Sequence, residues 1–164
     1  NNSSIFLDSS STIYEMVKII EALKTLNKLT ISTNDVLIAS TLSGIKKIFV
    51  LVIGGVLRSG YYTLTGFLAE NLLRDLTVDC AFIGGDAISP DGNVMITNTE
   101  EVGIKRLAIK AASQVIVLCD HTKFNNTALV HVTPLDKIDK IITDKDINNE
   151  VLEKLKEYGL EVLY

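Results

Sequence analysis

Ile5-Phe6-Leu7-Asp8-Ser9-Ser10-Ser11-Thr12-Ile13-Tyr14-Glu15-Met16-Val17-Lys18-Ile19-Ile20 passes directly from an apolar run of strand length, through a polar turn, into a segment of helical period. From Thr12 to Leu26 the three-and-four spacing puts Ile13, Met16, Val17, Ile20 and Leu23 on one side, which predicts a helix packed on a sheet. Ser11 or Thr12 is its natural N-cap. The same alternation continues outward. Apolar, β-branched runs predict strands at Leu29–Ser32, Ile48–Ile53, Cys80–Ile83, Val115–Leu118 and Ile141–Ile142. Between them, helices are predicted at Asp35–Leu42, Phe67–Leu73 and Glu100–Ala112, then at Asn148–Tyr158. Gly159 stops that last helix, Leu160–Leu163 reads as a closing strand, and Pro134 falls in a connection. Strands alternating with helices predict an α/β, Rossmann-like, mostly parallel sheet flanked by helices.

Length and composition set the frame for that sheet. At 164 residues the chain suits one domain, one that buries roughly 70% of its unfolded surface. Residues 47% apolar and 22% charged are globular in balance, and no apolar run approaches the ~20 residues that span a bilayer. No membrane partner is expected. Cys80 and Cys119 lie inside apolar runs and read as core thiols, without zinc-site spacing, in a reducing, cytoplasmic compartment. A formal charge of −4 with scattered basic residues argues against this chain gripping DNA by itself. The opening Asn1-Asn2-Ser3-Ser4 has neither an initiator Met nor a signal peptide, so the chain reads as a piece of something longer.

In an open parallel sheet the binding crevice lies beyond the carboxyl ends of the strands. Those positions are polar or glycine-rich throughout: Asp8-Ser9-Ser10-Ser11-Thr12, Thr33-Asn34, Gly54-Gly55, Gly84-Gly85-Asp86 and Asp120-His121-Thr122-Lys123. The first offers hydroxyls and free backbone N–H groups at a helix N-terminus, a setting that favours phosphate; it is also what a serine-rich N-cap turn looks like. Glycine pairs let backbone approach a ligand, or simply make tight turns. Asp86 is an acceptor for sugar hydroxyls or a carboxylate base, and equally an Asx-turn residue before Asp91-Gly92. Lys123 is a point charge for phosphate with Asp120 orienting it, or the two form a surface ion pair. Of Lys105 and Arg106 on one helix, one faces the pocket and the other solvent; Arg58 is a further anion-binding candidate.

Other chemistries find little support. His121 beside Asp120 lacks the Gly-x-Ser-x-Gly elbow of a catalytic triad, and His131, within the apolar stretch Ala128–Val132, reads as structural. Neither a P-loop nor a Gly-x-Gly-x-x-Gly follows the first strand, so no nucleotide cofactor, and no metal, is expected.

Taken in order, Phe6–Thr12, Leu29–Asn34, Ile53–Arg58, Asp79–Gly85, Asp120–Phe124 and Ile141–Asp144 resemble the effector-sensing domain of DeoR-family bacterial transcription regulators, over nearly the whole chain. The resemblance implies a fold related to ribose-5-phosphate isomerase, glucosamine-6-phosphate deaminase and CoA transferases. It implies an N-terminal winged helix-turn-helix in the intact protein, absent from these residues, through which DNA would be bound. It further implies a phosphorylated sugar or related effector, a homo-oligomer (dimer or tetramer), and a repressor of sugar-metabolism genes that is not an enzyme. In the family the Asp-x-Gly-Ser/Thr-Thr turn is similar to a phosphate cradle, which carries over to Asp8, Ser11 and Thr12, with Ser10 standing at the family glycine. Thr33, Asn34, Gly84, Gly85, Asp86, Lys105, Asp120 and Lys123 would line the pocket, joined by Glu101 and Arg58. Two other readings stand beside this one: a sugar-phosphate isomerase or deaminase with Asp86 as base and Lys105 or Lys123 as stabiliser, and a purely structural or dimerisation domain.

Overall fold

Apolar runs and helical segments take the predicted order in the computed structural model, which describes residues 3–22 and 28–164. β1 (Ser3–Leu7), α1 (Ser11–Ala22), β2 (Leu29–Thr33), α2 (Val36–Leu42) and β3 (Ile48–Val52) open the chain. A short ribbon of β4 (Val56–Leu57) and β5 (Leu64–Thr65) leads into α3 (Phe67–Arg74) and β6 (Val78–Gly84). After β7 (Ala87–Ile88) and β8 (Asn93–Ile96) come α4 (Val102–Ala111), β9 (Ala112–Leu118), β10 (Val130–Pro134) and β11 (Lys140–Ile142). α5 (Asn149–Glu157) and β12 (Glu161–Leu163) close it. The first helix begins at Ser11, with the Ser10 carbonyl accepting from Tyr14, so the N-cap position is Ser10 and not Ser11 or Thr12 as predicted. Its predicted extension through Leu23 to Leu26 lies outside the described residues.

Seven strands form one sheet in the order β12-β11-β9-β6-β1-β2-β3, every pairing parallel. The chain runs outward from β1 to β3, then returns to lay β6 on β1's other side. Between β1 and β6, therefore, the direction of winding reverses, and their carboxyl ends diverge into a crevice. Alternate side chains of the strands leave on opposite faces, so the neighbours Phe6 and Leu7 are buried in different cores. Leu7 joins Ile13 and Val17 of α1 and Ile38 and Leu42 of α2. Phe6 joins Ala69 and Leu73 of α3, Ile104 and Ala108 of α4, and Val151 and Leu155 of α5.

Two small antiparallel sheets were not predicted: β4-β5, and β10-β8-β7. Their strands are short, two residues each in β4, β5 and β7 and four and five in β8 and β10, so little or no periodicity marks them. Pro134 is the last residue of β10, not part of a connection; β10 is an edge strand, where a missing N–H costs little. His131 on β10 is exposed, and its carbonyl accepts from Arg106. Gly159 ends α5 at φ +73°, as its position required.

Both thiols are free, Cys119 buried and Cys80 half-buried. Burial, with Asp120 second, pushes the Cys119 thiol up to about 12; burial, with Asp139 and Asp79, pushes Cys80 up to about 11. Native protein at pH 8 is expected to react with a thiol-alkylating reagent far more slowly than unfolded protein does, read by mass spectrometry. Because both values are raised on folding, the stability they contribute is complete below about pH 9, the unfolded thiol range, and is lost as pH rises through about 11 for Cys80 and about 12 for Cys119. Leu7→Ala, at a fully buried position of the central strand, is expected to cost about 2–5 kcal/mol in urea unfolding.

Candidate functional site

Asp8 follows directly on β1 and is only 1% exposed. Its carboxylate accepts from the Gly84 N–H at 2.9 Å, at the end of β6, and forms an ion pair with Lys105 of α4, itself 3% exposed. Lys105 Nζ also donates to the Gly84 carbonyl at 3.2 Å. Three elements are thus tied at the point where the winding reverses. Gly84 is required there by space: a Cβ would stand 2.6 Å from the Ser10 Cβ, so the Ser9–Ser11 turn can cross only a glycine.

The charge ladder continues from Lys105. Glu101 Oε2 lies 4.0 Å from Lys105 Nζ, while Glu101 Oε1 accepts from Arg58 at 3.0 Å and from Asn98 at 3.1 Å. Arg58 lies with its guanidinium 3.6 Å from the Tyr61 ring centroid, which fixes the tip of the β4–β5 ribbon over the crevice. On the opposite wall Asp35 caps α2, accepting from Leu37 N–H at 2.8 Å and Ile38 N–H at 2.9 Å. Its other oxygen accepts from Ser9 Oγ at 2.6 Å, and Ser9 shares a hydrogen bond with Thr63.

These walls enclose a cleft of about 670 Å³. Its floor is Ser9, Ser10, Ser11 and Thr12 with Gly84 and Gly85, and its sides carry Arg58, Asp86, Glu101, Asp120 and Lys123, with Lys105 reaching it from beneath. Asp86 accepts from the Thr97 N–H at 2.7 Å and is otherwise exposed. The Thr122 hydroxyl, aided by the Thr122 N–H and the Lys123 charge, holds Asp120 below the usual carboxylate range. Asp120 and Lys123 do not form the ion pair that their spacing allowed, among the described residues. His121 Nδ1 turns instead to Asp144, at 2.9 Å. Asp120, His121 and Asp144 gather within 4.8 Å of one another; Asp144 accepts from the His121 backbone N–H and pairs with its ring, while Asp120 caps its own turn.

Five predicted residues stand outside the cleft wall. Asp8 is buried under the serine turn as its anchor. Thr33 accepts from the Asp35 N–H at 3.1 Å, and Asn34 donates to the Leu64 carbonyl at 3.2 Å, so both hold the cleft's supports. Gly55 packs against the ribbon, where a Cβ would meet the Thr65 carbonyl at 2.5 Å, and Gly54 faces open space. Arg106, as predicted for one of the pair, faces solvent and bonds the β10 carbonyls. Sequence reading missed Asp35, Tyr61, Tyr62, Thr63, Thr97 and Asn98. Asp35 had a signal, a capping carboxylate one residue past a flagged strand end; the others reach the cleft only through the ribbon and the β8–α4 turn. A second hollow of about 400 Å³, between α5 and β7 and lined by Ile88, Phe124, Leu135 and Tyr158, contains none of the residues predicted for the site.

Comparison with known proteins follows the same geometry. The family model described as the DeoR C-terminal sensor domain matches residues 1–145. The chain is 31% identical to the HTH-type transcriptional regulator GolR of Listeria innocua, over 99% of this chain and 63% of that protein. It is 33% identical to the HTH-type transcriptional repressor GlcR of Bacillus subtilis, over 97% of this chain and 60% of that protein. The chain thus spans about three fifths of the length of these relatives. Among solved structures, ribose 5-phosphate isomerase from Plasmodium falciparum is similar at TM-score 0.50 and 17% identity, over 76% of this chain and 46% of that one. eIF2B beta from Chaetomium thermophilum is similar at TM-score 0.53 and 13% identity, over 85% and 43%. At such identities the likeness is one of fold.

Removing one partner of the Asp8–Lys105 pair leaves a buried charge without compensation. Lys105→Met is expected to destabilise by about 3–5 kcal/mol, and the Asp8→Asn, Lys105→Met double variant by less than the sum of the two single losses, measured in a chemical-denaturation cycle.

Proposed function

The chain belongs to the DeoR C-terminal sensor domain family, and from that premise we propose that its cleft binds a small phosphorylated sugar or a related phosphorylated metabolite. One observation carries this reading: the cleft combines an anion-friendly helix end with carboxylates. The N-terminus of α1 presents first-turn N–H groups and the hydroxyls of Ser9, Ser10, Ser11 and Thr12, and Lys105 and Lys123 are among the lining side chains. Orphan amides, the helix dipole and ammonium groups together favour a dianion such as phosphate. In the same cleft the carboxylates of Asp86 and Asp120 are acceptors for sugar hydroxyls. A polyol phosphate would use both sets.

In the intact regulator, an N-terminal helix-turn-helix would read DNA, and the cleft would bias it by binding one arrangement of subunits better than another, typically by ~1–3 kcal/mol. The relatives' names, a regulator and a repressor, support control of transcription, and repression of sugar-metabolism genes in the cytoplasm is the form proposed here. The alternative, an isomerase or deaminase, draws on a shared fold alone, and fold does not specify turnover. In this cleft Asp86 accepts from the Thr97 N–H.

Thermal-shift measurements with phosphorylated sugars and their unphosphorylated parents test the proposal. A bound phosphate ester at about 100 times its Kd adds about 2.7 kcal/mol of stability, and its parent adds little. Lys123→Ala is expected to raise that Kd about tenfold or more while leaving unfolding nearly unchanged, since one charge-assisted hydrogen bond is worth about 1.5–3 kcal/mol. Equal stabilisation by esters and parents, or none by any, would overturn the phosphate assignment.

A further inference from the structure

Independently of what the cleft binds, the structure assigns the β3 edge of the sheet to a second copy of this chain. The two edges are built differently. β12 is three residues long, carries Glu161, and is covered by the Lys140–Glu161 ion pair at 2.6 Å. Such short, charged edges resist pairing with another chain. β3 reads Ile48-Phe49-Val50-Leu51-Val52, with neither charge nor proline, and stays in unbroken register with β2. Leu29 N–H donates to the Lys47 carbonyl and Ile53 N–H to the Thr33 carbonyl, so odd-numbered residues bond inward to β2. Alternation along the strand then turns the backbone groups of Val50 and Val52 outward, where no strand meets them among the described residues.

The surface beside that edge is apolar. Phe49 is 67% exposed on β3, Val56 69% on β4 and Phe67 73% on α3, and Val52, Leu57 and Leu68 are also exposed. They lie on both sides of the edge: Phe49 leaves with Leu51 on the face of α3, Val52 with Ile48 and Val50 on the face of α1 and α2, and β3 leads through Gly54-Gly55 into β4, with Gly55 against Ala69 of α3. Together these six side chains leave on the order of 600–700 Å² of apolar surface bare around the edge, near the ~800 Å² that one partner contributes to a standard interface.

Self-pairing explains the pattern better than any other occupant. A two-fold axis across β3 sets it antiparallel to its copy, pairs the outward groups of Val50 and Val52, and presents the same neutral edge to itself. Lys46 and Lys47 sit at one end of β3 only, so this arrangement carries the two pairs of lysines to opposite ends of the interface. The ribbon then acquires two faces: Val56 and Leu57 meet the partner, while Arg58, Tyr61 and Thr63 a few residues on line the cleft. Ligand and partner would therefore press on one element.

Sedimentation equilibrium of the 164-residue chain across a concentration series tests this. The unaltered chain is expected to be a dimer, with Leu68→Glu and Val52→Lys each weakening it at least tenfold and Leu163→Lys, on the β12 edge, leaving it unchanged. Thermal unfolding followed by circular dichroism identifies variants that retain the fold; two substitutions on different elements keep the test valid if one does not. A monomeric parent chain, unaltered dimerisation in both folded variants, or dissociation by Leu163→Lys in their place would overturn the assignment.

Discussion

The ion pair of Asp8 with Lys105, closed by both backbone groups of Gly84, is the constraint on which the rest of the cleft depends. Burying two charges is costly unless geometry is good and remaining bonding capacity is met. Here the Gly84 amide and carbonyl meet it, at the one place in the sheet where two neighbouring strands send their chains in opposite directions. The pair therefore does more than hold α4 to the sheet. It sets how far apart the ends of β1 and β6 stand, and so how wide the crevice is. Ser10 fits over Gly84 only while that spacing is kept.

From this pair the alternation of charge runs outward, Asp8 to Lys105 to Glu101 to Arg58, and so from the sheet's centre to the β4–β5 ribbon. Each step places a side chain that could bind ligand into service as support. Lys105 is the clearest case: it lies against the cleft, yet its ammonium is already committed to Asp8 and Gly84. A phosphate above the serine turn would feel its charge without needing to displace those bonds. Lys123, whose ammonium forms no ion pair among the described residues, is the cation left for direct contact. Under the proposed reading this division separates the two lysines, Lys105 acting through folding and Lys123 through binding.

The likeness to an isomerase and to eIF2B beta shows that this sheet supports unrelated tasks. In the present site, carboxylates share the cleft with an anion-friendly helix end, the combination on which the proposed polyol phosphate would draw. Family membership and the cleft rest on different residues: the family match runs over residues 1–145, while the cleft is built from a few turns.

The chain's periodicity by itself determined the strand and helix order, the parallel sheet and the set of strand-end turns, because each follows from spacing within a dozen residues. Phe6 and Leu7, one apolar residue after another, already required a strand buried on both faces. The sequence also located most of the cleft floor, since a parallel sheet sends every strand's carboxyl end to one side. Only the tertiary structure decided which polar residues face a ligand and which hold the walls. Asp8, Thr33 and Asn34 look no different in sequence from Ser11 or Asp86, but burial commits them to backbone partners 30 to 76 residues away or to an adjacent turn. The ribbon, with Tyr61, Tyr62 and Thr63, and the bare β3 edge were equally hidden. Two-residue strands and the outer side of a strand are defined by neighbours that meet only when the chain has closed, and no local pattern encodes that distance.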